Sequence, residues 1–324
     1  GLTSGDALTT GTDNVAIGRL ALSASPDGAD NIAIGRSALA ATDGVADCNI
    51  AIGLSALGGA DVSGLGNIGI GALAGDAITT GICNVAIGVN ALGAATTGCQ
   101  NIAIGDLAMG AAAVTGIDNI AIGQLSGDAL TSGNRIIAIG KNAYGAGAAG
   151  GDNVAIGNTA LGGTLVTGAD NVAIGHSTMD ALTSGICNVA IGTNALGAST
   201  TGCFNIALGD TAMGGAATTA SENISIGRTS SDALTSGYSN IALGTDAAGS
   251  MTTGFYNVAI GAAAAAISTT GCNNIAIGRI ALGGADTTGG TNIAIGTFAS
   301  DAITTGIGNI AMGENAFGAG TTGC

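Results

Sequence analysis

Apolar residues return along this chain in short, evenly spaced bursts. A five-residue block, Asn-[Ile/Val]-Ala-Ile-Gly or a close variant, begins at Asn14, Asn31, Asn49, Asn67, Asn84, Asn101, Asn119, Asn153, Asn171, Asn188, Asn205, Asn223, Asn240, Asn257, Asn274, Asn292 and Asn309. One further copy, at 136–140, carries Ile136 in the Asn slot. Successive blocks start 17 or 18 residues apart. Within a block two β-branched or aliphatic residues flank a small one, which is the alternation of a strand and not the rhythm of a helix. The pattern predicts one short strand per repeat, with the two larger residues directed inward and the central Ala outward. A second bulky residue, such as Leu57, Leu92, Met109 or Leu161, is expected to form the opposite wall of the core. Gly closes every block, which predicts a corner with positive φ or a close approach of backbone to backbone. Because Ala is kept at the outward position, that face is expected to be covered by a second chain, another layer or a neighbouring filament.

A unit of 17 residues cannot bury a face alone, whereas identical units stacked in register can. The expected fold is all-β: a parallel β-solenoid, of the β-roll or β-helix kind, with about 18 turns of 17–18 residues. It spans 1–324 as a single continuous domain, a rod of roughly 85 Å at the usual strand spacing. The Asn column is expected to form a ladder, each side-chain amide bonding to the next turn. A longer period is overlaid: Asp-Ala-[Leu/Ile]-Thr-[Ser/Thr]-Gly recurs at Asp6, Asp76, Asp128, Asp180, Asp232 and Asp301, with three steps of 52 residues. It reads as duplication of three-turn modules or as a lateral contact repeated along the rod. Gly1 and Cys324 both fall inside a repeat, so the chain reads as a segment of a longer fibre or as a subunit stacked head to tail.

Composition narrows the chemistry. With 61 Gly, no Trp, four Phe and three Tyr, a conventional bulky core is excluded. A net charge of -15, from 21 acids and six bases, argues against nucleic acid as a partner. Apolar runs are broken by Gly and polar residues, which argues against membrane insertion. The single histidine, His176, shares its slot after the block Gly with Arg228 and Arg279 and reads as a surface residue. No nucleophile–base, Walker or dinucleotide motif accompanies it, so no catalytic or cofactor-binding residue is assigned and the chain is not expected to be an enzyme. Asp13 and Asp30, like Asp152 and Asp170, share a slot in adjacent turns and could hold Ca²⁺, but the calcium-binding nonapeptide is missing and a solvated face is favoured. Cys83 and Cys99 lie 16 residues apart, as do Cys187 and Cys203, in adjacent slots of neighbouring turns. Two disulfides are expected there, which would mean an oxidising, extracellular setting. Asn223-Ile224-Ser225 is an N-glycosylation sequon, and glycans on the many Thr are a further possible partner.

The blocks Asn14–Gly18 and Asn153–Gly157 resemble the head repeats of trimeric autotransporter adhesins, and the broader Thr-Gly-x-x-Asn-x-Ala-Ile-Gly-x-x-Ala-Leu unit is similar to repeats of bacteriophage tail-fibre and related surface-fibre proteins. The resemblance implies a parallel β-roll and a place on a cell or virion surface. The expected function is the structural shaft of an extracellular fibre, a cell-surface filament or a phage tail fibre, with further copies of itself as partner. An adhesin or receptor-binding head is the alternative, resting on Tyr238, Phe255 and Tyr256. An ice-binding Thr array is the second alternative. The paired Thr are adjacent, so only one of each pair is expected to face out.

Overall fold

A computed structural model describes residues 1–41 and 46–323. The chain divides into two compact units, 1–167 and 168–324. Each unit is a parallel β-solenoid with no helix among the described residues. In the first, nine three-residue strands run from β1 (Val15–Ile17) to β9 (Val154–Ile156); in the second, nine run from β10 (Val172–Ile174) to β18 (Ile310–Met312). Within a unit each strand pairs in parallel with the next one along the chain, block on block. Val15 thus lies beside Ile32 and Ala16 beside Ala33, and Val189 lies beside Ile206.

The inward and outward faces are the reverse of the sequence expectation. The central Ala is the core residue: Ala86 and Ala190 are 0% exposed. The flanking Val and Ile point out and are partly or openly exposed, as at Val85, Ile87 and Ile191. The cause is parity. Asn and Ala are two positions apart and so share one face of the strand. Asn carries a donor and an acceptor that the interior backbone satisfies, so it turns in, takes Ala with it and sends Ile and Val out. No second chain needs to cover the Ala, because the solenoid itself covers it.

The remainder of each turn is built from corners that side chains seldom adopt. In the turn from Asn84, the non-glycine residues Asn90, Leu92 and Gln100 have φ of 56°, 49° and 59°. Left-handed backbone at such residues costs about 1–2 kcal/mol each. Each gains a backbone hydrogen bond to a neighbouring turn: Asn90 N–H to Ala72 O, Leu92 N–H to Ala108 O and Gln100 N–H to Ile82 O, all at 2.9 Å. Their direction alternates between the turn before and the turn after, so the corners hold the stack together as the strands do.

The core is thin and its volume is conserved turn by turn. Leu92 sits across from Ala95, whereas in the turn with Asp76 the wall position is Gly75 and Ile78 supplies the bulk. Gly127 with Leu130 and Ala248 with Met251 repeat that exchange. The block glycines are a steric requirement. Gly88 has φ +137°, and a Cβ there would lie 2.4 Å from the Gly105 carbonyl oxygen. We expect Gly88→Ala to lower stability by at least about 1–3 kcal/mol, read as the unfolding midpoint of the full chain, while Val89→Ala at the exposed neighbour leaves it unchanged.

Candidate functional site

Among the described residues no group of three or more His, Cys, Asp or Glu is placed to hold a metal ion. Asp152 pairs instead with Arg135, whose Nε and Nη2 reach its two oxygens at 2.6 and 2.7 Å. That bonding holds the Asp152 carboxyl below its ordinary range. Asp13 and Asp30 are exposed, and His176 is exposed after its block Gly. No helix is long and apolar enough to cross a membrane among the described residues.

The organising internal feature is the Asn column. Asn101 donates its backbone N–H to Asn84 Oδ1 at 3.0 Å and its Nδ2–H to Gly116 O at 2.9 Å. In the second unit Asn188 does the same with Asn171 Oδ1 and Gly202 O. Each amide thus ties three segments together: its own strand, the next strand and the loop opposite. Asn223, the sequon residue, is 0% exposed with Nδ2–H given to Gly237 O, so no N-glycan fits there in the folded chain.

Where Asn is missing, a tyrosine takes over. At Ile136 the ladder has no amide, and Gly150 O, the carbonyl an Asn there would bind, instead receives the Tyr144 hydroxyl at 3.1 Å. Asn153 Nδ2–H in turn donates to Tyr144 Oη at 3.3 Å. Tyr144 is 0% exposed, and burial pushes its phenol up to about 12. The exchange of Asn for Ile and of the wall Leu for Tyr is a single coupled change. Sequence reading noted the missing Asn but not its replacement, because the two residues lie eight positions apart and meet only across the core.

The 52-residue period also has an internal cause. Asp76, Asp128 and Asp232 each follow an 18-residue turn, and each carboxylate captures a backbone N–H of the loop that the extra residue pushes out. Ala111 N–H donates to Asp128 Oδ1 at 3.0 Å, and Gly59 and Gly215 serve Asp76 and Asp232. Burial raises the pKa of all three carboxyls, and these N–H bonds only partly oppose it. One oxygen each of Asp76 and Asp232 is buried with no partner.

The outer surface is columnar. The strands present two adjacent columns of Val and Ile, and a column of exposed residues runs along each edge. Before the Asn, that edge column includes Asp13, Asp30, Asp118, Asp152, Asp170 and Glu222; after the Gly, it includes Arg19, Arg36, Lys141, His176, Arg228 and Arg279. The Tyr238 and Phe255 rings stack 5.0 Å apart, with Tyr256 edge-on to both, at the acidic edge. In several Thr pairs the first hydroxyl bonds the next turn, as Thr79 to Thr96 O and Thr252 to Thr269 O, and the second residue is exposed.

The expected disulfides are absent from the structure: Cys83, Cys99, Cys187 and Cys203 are free thiols. The sulfurs of Cys99 and Cys203 turn back to their own loops, at 3.5 Å from Thr97 O and 3.4 Å from Thr201 O. Cys83 and Cys187 occupy the left-handed position before the Asn.

Two outcomes follow from this geometry. Tyr144→Phe strips Gly150 O of its donor and is expected to cost about 1–3 kcal/mol, whereas the double change Ile136→Asn with Tyr144→Leu restores the common pattern and most of the stability. Since Asp76, Asp128 and Asp232 are raised from 3.8, the folded chain holds these protons more tightly than the unfolded chain. Their contribution is complete below that value and is lost as pH rises through the folded values. The thermal midpoint should climb on acidification from neutral pH, and the triple Asp-to-Asn variant at these positions should flatten that climb. The chain matches no protein-family model and no curated protein sequence.

Proposed function

We propose that this chain is the shaft of an extracellular fibre, a cell-surface filament or phage tail fibre, that associates with further copies of itself. The observation that carries the reading is the pair of Val and Ile columns on the outside of every strand. Soluble monomers rarely leave a continuous apolar stripe in water. Here it repeats on each strand of both units, with Ile122, Ile191 and Ile226 37%, 42% and 39% exposed. The interior supports a mechanical role. Each turn is bonded to its neighbours through strand, corner and Asn amide, so load passes through many parallel hydrogen bonds.

The test is electron microscopy and X-ray fibre diffraction of the purified full chain. Elongated particles that bundle side by side, with a reflection near 4.8 Å along their length, are the expected result. Particles that stay single at every concentration would remove the self-association on which the reading depends.

A further inference from the structure

The apolar stripe needs an occupant, and the charges along its edges select one. In each unit nine strands present a band about 12 Å wide, roughly 500 Å² at the usual strand spacing, at the upper end of what soluble monomers leave uncovered. One edge column is acidic and the other holds five of the six Lys and Arg residues together with His176. Such a stripe has direction.

We propose that a second copy of this chain covers the stripe with its own, parallel and in register, about an axis running along the solenoid. The proposal rests on the self-association argued above and names its partner and polarity. Turning a copy face to face about such an axis sets its acidic edge against the basic edge of the first, at the same turn. Arg19 then faces Asp13 of the other copy, Arg36 faces Asp30, His176 faces Asp170, and Arg228 faces Glu222. None of these four basic side chains makes an ion pair within its own chain among the described residues. The remaining acids of both columns meet uncharged residues: Asp118 faces Gln124, Asp152 faces Asn158, Asp106 faces Gln100, Asp210 faces Phe204, and Glu314 faces Gly308. One pair is unfavourable, Lys141 with Arg135, and Arg135 is already held by Asp152 in its own chain.

The opposite arrangement, with the copies antiparallel, lays the acidic column of one against the acidic column of the other. It sets the cation column against itself, where three acids, Asp106, Asp210 and Glu314, stand among five Lys and Arg, so it offers fewer ion pairs than the parallel arrangement. Facing sheets lie about 10 Å apart, a gap that Arg and a carboxylate can bridge at the rim. Rim pairs of this kind set orientation and partner choice more than affinity. The apolar stripe supplies the contact and the edges choose its polarity.

Native cysteines allow a direct test. Cys83 stands in the acidic-edge column and Val89 in the other edge column of the same turn, both exposed or nearly so. The full-length Val89→Cys chain, mixed as ¹⁵N-labelled and unlabelled material, is treated with a short bismaleimide and the linked peptides are identified by mass spectrometry. Sedimentation of the untreated chain runs alongside. The expected result is association together with links between Cys83 of one copy and position 89 of another. Association with inter-copy links from Cys83 to Cys83 or Cys48, and none to position 89, overturns the parallel arrangement and leaves self-association standing. A chain that sediments as a monomer overturns both. As a second reading, Arg36→Glu with Arg228→Glu should weaken association at least tenfold, and adding Asp30→Arg with Glu222→Arg should restore it. Failure of the added changes to restore it also overturns the proposal, since each exposed substitution leaves the interior untouched.

Discussion

The buried asparagine amide is the constraint from which the rest follows. A primary amide inside a thin apolar core is costly unless every donor and acceptor is met. Here Asn84 Oδ1 receives the backbone N–H of the next block and its Nδ2–H closes onto the loop carbonyl of Gly98. Those bonds require the next turn to sit in register, because a slip of one residue would carry Asn to the outside. With Asn held inside, period-two geometry leaves no freedom: Ala is interior and Ile is exterior. The apolar outer stripe is therefore a consequence of the hydrogen-bond ladder as much as a feature in its own right. Tyr144 shows how firm the constraint is. Where Asn is lost at Ile136, the donor is supplied again from across the core.

Small residues serve the same end. The interior is shallow enough for an Asn amide to reach a loop carbonyl only if strand and corner approach closely, which is why Ala lines both sides. Gly88 closes its strand with its would-be Cβ direction filled by the backbone of Gly105. The left-handed corners at Leu92 and its equivalents run against local preference, and the stack sustains them by giving each N–H a partner in a neighbouring turn. An extra residue in a turn is absorbed outside the core and held by a carboxylate of the next turn, as Asp128 holds Ala111. Length variation is thereby kept away from the ladder.

Much of this was legible in the residue pattern, and the errors have identifiable causes. The turn length, the single strand per turn, the Asn column and the Gly corners follow from the repetition itself. The shift of bulk to Ile78 and Leu130 in the Asp turns was also readable, because volume must be conserved in a closed section. The faces were inverted because hydrophobicity was weighed ahead of parity. Two inward Ile and an inward Asn ladder cannot coexist on one strand, and Asn84 two places from Ala86 already carried that information. The arrangement of the thiols was not legible for a different reason. Sequence spacing placed Cys83 and Cys99 in adjacent columns but said nothing of the left-handed backbone at Cys83 or of the turn of the Cys99 sulfur toward Thr97 O. Leucine at positive φ has no local signature, since only the neighbouring turns make it tolerable.

The placement of the few charges bears on how such a surface avoids indiscriminate aggregation. Two columns of Ile and Val alone would accept any flat apolar partner in either direction, and a stack of like strands is prone to such promiscuity. Spreading 27 charged residues evenly over the surface would improve solubility without distinguishing one arrangement from another. Gathering five of the six Lys and Arg on one edge of the stripe and six of the nine edge acids on the other would favour one arrangement, because a mismatched face then brings more like charges together around a contact that excludes water. Net negative charge elsewhere adds repulsion between surfaces that lack the stripe. A few cations placed along one edge would thus be sufficient to give an otherwise featureless apolar face a polarity.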